Sequence, residues 1–149
     1  QFYSQIASTP EQLKAVYKSQ VSDFSQSREL LAELLAQRLE KEIQLGYTLS
    51  GPHRDNLVFT LDDKEAHVFG SKGQMKSVLL AWKLAEAVFL EIRTGSQPVL
   101  LMDDIFSELD SLRARALLEI IPTFGQVVLT SARDPDLDFQ KRGFKLLNL

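Results

Sequence analysis

The sequence predicts an α/β fold built on a layered sheet, and three observations carry that reading. "PVLLMDD", residues 98–104, is a continuous apolar run ending in two acids, the pattern of a central strand in a parallel sheet. The segment 74–93 has the composition of a long helix apolar nearly all round, which predicts burial on more than one side. Strand, helix, strand, helix and strand then alternate over roughly the last eighty residues, the order of a layered α/β sheet.

In chain order, "LKAVYKSQ" at 13–20 alternates loosely and predicts a short strand. From 27 to 45, Leu30, Leu31, Leu34, Leu35, Leu39 and Ile43 recur three and four residues apart. Glu29, Glu33, Arg38, Lys41 and Glu42 fill much of the rest, so an amphipathic helix ended by Gly46 is expected. "YTLSGPHRD" supplies a strand end and a loop broken at Gly51-Pro52. "NLVFTLDDKEAHVFG" predicts a hairpin in which Leu57, Phe59 and Leu61 alternate, "DDKE" turns and "AHVF" returns as a strand. Asp110 is placed to cap a helix from Ser111 to the neighbourhood of Ile121, and "QVVLTSA" and "GFKLLNL" read as further strands. The opening "QFYSQIAS" shows no Met and no clear element start, and reads as a cut through a longer protein.

Composition narrows the function. A chain of 149 residues with 44% hydrophobic and 25% charged content is an ordinary globular sequence. It contains no cysteine, which excludes disulfides and thiolate metal sites and fits a reducing cytosol. His53 and His67 are too few and too separate for a histidine metal centre. The net charge of -3 argues against a chain wholly devoted to nucleic acid, though a local basic patch is compatible with it. The longest apolar run, "SVLLAWKLAEAVFLEI", is interrupted by Lys83 and Glu86, so no membrane span is expected.

Two stretches carry chemistry. "PVLLMDDIFSELD" delivers Asp103 and Asp104 at the carboxyl end of a strand, where open α/β sheets place ligands. Phosphoryl transfer needs carboxylates fixed in this way, one for magnesium and one for the attacking water. Taken alone, the pair is equally two solvent-facing acids at a strand end. "GSKGQMKS" fits the phosphate-binding pattern G-x-x-x-x-G-K-[ST] at Gly70, Lys76 and Ser77 but has Met75 where its second glycine belongs. It also reads as the start of a helix, with the Ser71 hydroxyl and the Gly73 N–H directed at an anion by the helix terminus. In isolation Ser71 is a plain N-cap.

Ser107-Glu108-Leu109-Asp110 resembles the D-loop of ATP-binding-cassette (ABC) ATPases of the SMC-like group, and "VVLTSA" resembles the strand leading into their switch. In that order "SKGQ" stands where the signature motif belongs. "TLSGPHRDNLVF", followed by "FGSKGQMKSVLLAWKLAE" and "PVLLMDDIFSELD", narrows the resemblance to the C-terminal part of the RecF family. The resemblance implies the C-terminal portion of an ABC/SMC-like ATPase head, a P-loop NTPase fold, over 47–149. Residues 1–46 would be part of a helical second lobe.

It further implies ATP and Mg2+ as cofactors, an ATP-dependent homodimer, and binding to gapped or single-stranded DNA. RecO, RecR and RecA would be partners in recombinational repair and the SOS response in a bacterial cytoplasm. On this reading Ser71, Gly73 and Gln74 contact ATP in trans, Asp103 serves Mg2+ and Asp104 is the general base. Ser107, Glu108 and Asp110 form the D-loop, Thr130 and Ser131 the switch, and His53 or Arg54 would meet phosphate of ATP or DNA. Alternatively, Asp55 pairs with Arg54 or caps a turn, and His53 is satisfied within its loop. Arg113, Arg115, Arg133, Lys141 and Arg142 are candidates for a DNA surface or a solvated face. Lys72 and Lys76 are candidates for anion steering. Competing readings are an ATPase subunit of a transporter and a non-catalytic interaction domain. The chain departs from the family pattern in lacking any G-x-x-x-x-G-K-[ST], so primary ATP binding is not expected of it.

Overall fold

The computed structural model describes residues 1–7, 9–107, 109–132, 139–145 and 147. It divides into two compact units, Gln1–Leu13 with Thr60–Leu149, and Lys14–Phe59. These units differ from the division at 46/47 expected from sequence: the first thirteen residues group with the larger unit, and 47–59 with the smaller.

The smaller unit is organised by one helix. α2, Ser27–Leu45, follows a 3-10 turn at Phe24–Gln26 and ends where Gly46 takes φ 74 and returns its N–H to the Glu42 carbonyl. The left-handed conformation is what glycine supplies at this position without steric penalty. The expected amphipathic stripe is only partly covered, since Leu30, Leu31, Leu34 and Leu35 are half-buried while Leu39 and Ile43 stay exposed. β1, Leu13–Lys18, lies beside β2, Asn56–Leu61, in a three-stranded sheet of order β1-β2-β3, where β3 is Lys64–Glu65.

In the larger unit the hairpin is tighter than the sequence suggests. Thr60 pairs with Glu65 and Leu61 with Lys64, so the turn is Asp62-Asp63 alone rather than "DDKE". Both turn residues have positive φ, 46 and 64, the requirement of a type I′ turn that aspartate tolerates. The returning strand is therefore two residues long, and "AHVF" folds as a helical turn instead: α3, Ala66–Phe69. Gly70 closes that turn with its N–H on the Ala66 carbonyl at 2.8 Å. A Cβ at Gly70 would lie 2.4 Å from the same oxygen, so only glycine passes here.

α1, Phe2–Ala7, was not legible as an element, yet it buries Tyr3, Ile6 and Ala7. It packs on α4, Lys72–Thr94, and α5, Ser111–Ile120. With Val78, Leu84, Leu117, Leu118 and Ile121 these residues make the core, each large aliphatic side chain contributing about 1.5–3 kcal/mol by burial. α4 differs from expectation, because one face is covered and the other is not. Leu80, Ala81, Leu84 and Ala87 are buried, whereas Leu79, Trp82, Phe89, Leu90 and Ile92 are exposed. β4, Leu100–Met102, pairs in parallel with β5, Val127–Leu129, in register Leu100↔Val127 through Met102↔Leu129. Parallel neighbours need a crossover, and α5 with the 3-10 turn Ile121–Thr123 is part of it. Gly143 to Lys145 are a turn and irregular chain rather than the start of a last strand; residues 146, 148 and 149 lie outside the described residues.

Candidate functional site

The acids expected to carry chemistry stand together at the ends of β4 and β5. Thr130, the residue after β5, extends the ladder by donating its N–H to the Met102 carbonyl at 3.0 Å. That pairing sets its hydroxyl between the two acids. The Thr130 hydroxyl donates to Asp103 Oδ1 and accepts the Asp104 N–H at 3.1 Å. Asp104 takes φ 43, a left-handed conformation that costs an L-residue about 1–2 kcal/mol. The turn is closed by Ser107, whose N–H and hydroxyl both donate to the Asp104 carbonyl, at 3.3 and 3.0 Å. The Ala132 N–H approaches Asp104 Oδ1 at 3.5 Å. Ser131 is exposed beside it.

These are hard oxygen donors, and among the described residues no three of His, Cys, Asp and Glu gather around one point. That set fits magnesium, which takes one or two carboxylates and completes its shell with water and phosphate oxygens. It does not fit a metal that demands an all-protein cage. Glu108 lies outside the described residues. Asp110 caps α5, accepting the Arg113 N–H at 2.9 Å and pairing with Arg113 Nη1 at 3.0 Å.

The serine loop forms a second constellation. Ser71 is the N-cap of α4 and shares a capping box with Gln74, so the Gln74 N–H donates to Ser71 Oγ at 3.2 Å. In return the Ser71 N–H donates to Gln74 Oε1 at 2.7 Å. Gln74 Nε2 donates to Glu11 Oε1, so the Gln74 side chain is engaged inside the protein at both ends. By helix geometry the N–H groups of Lys72 and Gly73 have no intrahelical acceptor. Ser77, where a P-loop would need a hydroxyl facing metal, is fully buried and donates to the Gly73 carbonyl at 2.9 Å. Met75 is half-buried.

In the smaller unit the loop of "GPHRD" is held from within. Gly51 has φ 134, and a Cβ there would meet the His53 ring at 3.0 Å. His53 Nε2 and the Thr48 hydroxyl are 3.0 Å apart. Arg54 donates twice to the Thr48 carbonyl, at 3.0 and 2.6 Å, with its guanidinium 5.2 Å from the Tyr47 ring centroid. Asp55 does not pair with Arg54. It accepts the Tyr17 hydroxyl at 2.6 Å, the Ser19 hydroxyl at 2.9 Å and the Gln20 N–H at 3.1 Å. The Tyr17 hydrogen bond holds the Asp55 carboxyl below its ordinary range.

No family model matches the chain. Curated relatives do. The chain is 46% identical over 121 residues to the DNA replication and repair protein RecF of Moorella thermoacetica, covering 81% of this chain and 32% of that one. It is 39% identical over 126 residues to RecF of Halalkalibacterium halodurans, covering 85% and 34%. With RecF of Lactobacillus delbrueckii it shares 37% over 142 residues, 91% and 36% of the two chains. The chain belongs to the RecF family, and the match is to the C-terminal part.

It spans about a third of the length of the curated RecF relatives it matches. Two solved structures of the recombination mediator protein RecF in the RecFOR pathway, described with ATPrS and with ATP, superpose with TM-scores of 0.66 and 0.65 at 30% identity. They cover 89% and 90% of this chain and 37% of their own. The fold is therefore α/β, part of a RecF-like ATPase head.

Two sets of residues in this sequence were not legible in advance. Glu11 and Tyr3 stand far from the serine loop in sequence, and α1 is too short to show a period. Arg38 and Glu42 look like ordinary charged positions of α2. They in fact grip the chain before "GPHRD", Glu42 accepting the Leu49 N–H at 2.7 Å and Arg38 donating to the Leu49 carbonyl at 3.1 Å. Of the basic residues expected on a surface, Arg113 is a correction: its side chain is only 15% exposed and paired with Asp110. Its Nε is buried without a hydrogen-bond partner among the described residues. Arg115 is exposed, Arg142 stands 3.7 Å from Glu119, and Arg133 lies outside the described residues.

Proposed function

We propose that this chain supplies the acid pair and the trans-acting serine loop of an ATP switch in a RecF-type DNA replication and repair protein. The observation that carries the reading is the arrangement of Asp103, Thr130 and Asp104 at the ends of parallel strands β4 and β5. The serine-capped α4 in the same compact unit adds to it. Ser71 and the Gly73 N–H act on the terminal phosphate of ATP held by a second subunit, at a helix terminus that favours an anion. Gln74 serves by holding Ser71 rather than by touching phosphate, because its amide is already engaged. Asp103 would hold magnesium, which when bound would supply charge neutralisation for the phosphoryl oxygens. Asp104 orients and deprotonates the attacking water. Its aspartate side chain is shorter than the usual glutamate of cassette ATPases, which suits a slow switch. Thr130 keeps both acids in place, with Ser131 as the next hydroxyl of the switch.

The D-loop residues Ser107 and Asp110 bridge the two subunits, Asp110 while capping α5. His53 and Arg54 are exposed and remain candidates for phosphate of DNA. The dimer binds gapped DNA and, with RecO and RecR, aids RecA loading in a bacterial cytoplasm. No helix among the described residues is long and apolar enough to cross a membrane.

The test is Ser71→Arg in the full-length protein. ATP binding should persist by calorimetry while ATP-dependent dimerisation disappears by light scattering; a persisting dimer overturns the trans role. The 149-residue chain alone should show no ATP affinity, since it holds no G-x-x-x-x-G-K-[ST].

A further inference from the structure

We infer that Glu11 is the positioning residue of the serine loop, fixing through Gln74 the geometry in which Ser71 and the first turn of α4 meet an anion. The inference rests on the role proposed for Ser71. A glutamine amide has two orientations, differing by exchange of oxygen and nitrogen, and only its surroundings choose between them. The capping box needs the oxygen towards the Ser71 N–H, which it receives at 2.7 Å. Glu11 enforces that choice. An ionised carboxylate only accepts, so it receives Gln74 Nε2 and would repel a flipped amide that offered oxygen.

Glu11 is itself held. Its second oxygen accepts the Tyr3 hydroxyl at 2.7 Å and the Thr9 hydroxyl at 3.0 Å. Tyr3 is 3% exposed on α1, the helix that packs on both α4 and α5. The hydrogen bond from Tyr3, with those from Thr9 and Gln74 and the nearby charge of Arg113, keeps the Glu11 carboxyl below its ordinary range. Glu11 is therefore an anion, and an acceptor only, at neutral pH. The order of support runs from the core through Tyr3, Glu11 and Gln74 to Ser71. Because the Ser71 oxygen is occupied by the Gln74 N–H, its hydroxyl proton is left to donate to a ligand.

An exchange of the two side chains tests this. Gln74→Glu sets two carboxylates against each other and should raise the ATP concentration for half-maximal dimerisation of the full-length protein about tenfold, equal to about 1.4 kcal/mol. Glu11→Gln should raise it less, about threefold. The double variant should return to within about twofold of the parent, because the exchanged pair again offers an acceptor to Ser71 and a donor across the contact. Hydrogen exchange at the Ser71 and Gln74 amides should follow the same order without nucleotide, faster in the single variants and restored in the double. Gln74→Met, which keeps the volume and removes both hydrogen bonds, replaces Gln74→Glu if that variant does not fold. Single variants indistinguishable from the parent, or a double variant no better than the worse single, overturn the assignment. If exchange follows the swap while Ser71→Arg leaves the dimer intact, the positioning stands and the trans contact fails.

Discussion

The loop 51–55 and the acid-bearing end of β4 are both short, charged turns, but they use their polar groups in opposite ways. In the loop, Arg54 is bound to the Thr48 carbonyl and Asp55 holds three donors near the end of β1. The loop is thus largely a lock on its own backbone. At the strand end, one hydroxyl, that of Thr130, bridges both acids, and Asp104 sits in a left-handed conformation. Strain of that kind persists where surrounding structure enforces it, and it gathers at functional sites. The loop is braced by hydrogen bonds to its own backbone, whereas the turn at Asp104 holds a strained residue at the site proposed for the chemistry.

The sharpest way to break this contrast is Asp104→Asn. In the full-length protein ATP turnover should fall about 100-fold or more while dimerisation persists, the usual share of a general base. Normal turnover removes Asp104 from that role. Gly51→Ala should act only on stability, costing about 1–3 kcal/mol because φ 134 with ψ 170 is a conformation kept for glycine. A urea unfolding midpoint unchanged by that substitution would show the loop to be less rigid than its hydrogen bonds imply. Thr130→Val keeps the shape and removes the bridge, with an expected loss of about 1 kcal/mol in the same unfolding experiment.

The smallest effect concerns pH. The Asp55 pKa is depressed in the folded state, first by the Tyr17 hydrogen bond, so its contribution is present above the ordinary aspartate range. It is lost as pH falls through the depressed value. Asp55→Asn should flatten that acid limb, and an unchanged limb would show that Asp55 does not hold the end of β1.

Much of the fold could be read from the sequence because its signals are local. α2 runs from Ser27 to Leu45 and stops at Gly46, and Asp110 caps α5, where the sequence indicates. β4 and β5 occupy their apolar runs for the same reason. "AHVF" misled because its short apolar pattern is shared by a strand and a helical turn, and the two-residue turn at Asp62-Asp63 decided between them. At the site, residue types were legible and their partners were not. Gln74 meets Glu11 across 63 residues and Asp103 meets Thr130 across 27, distances over which no periodicity speaks. Gln74, a candidate phosphate contact on sequence, has its amide engaged by Ser71 and Glu11.

The half-covered helix α4 gives this chain an optical property. Trp82 is its one tryptophan and lies on the exposed face, 40% accessible, among Leu79 and Phe89. Any apolar surface laid over that face takes the indole out of water and moves its emission to the blue. Intrinsic fluorescence is thus a single-site gauge of what assembles on α4, readable without a label.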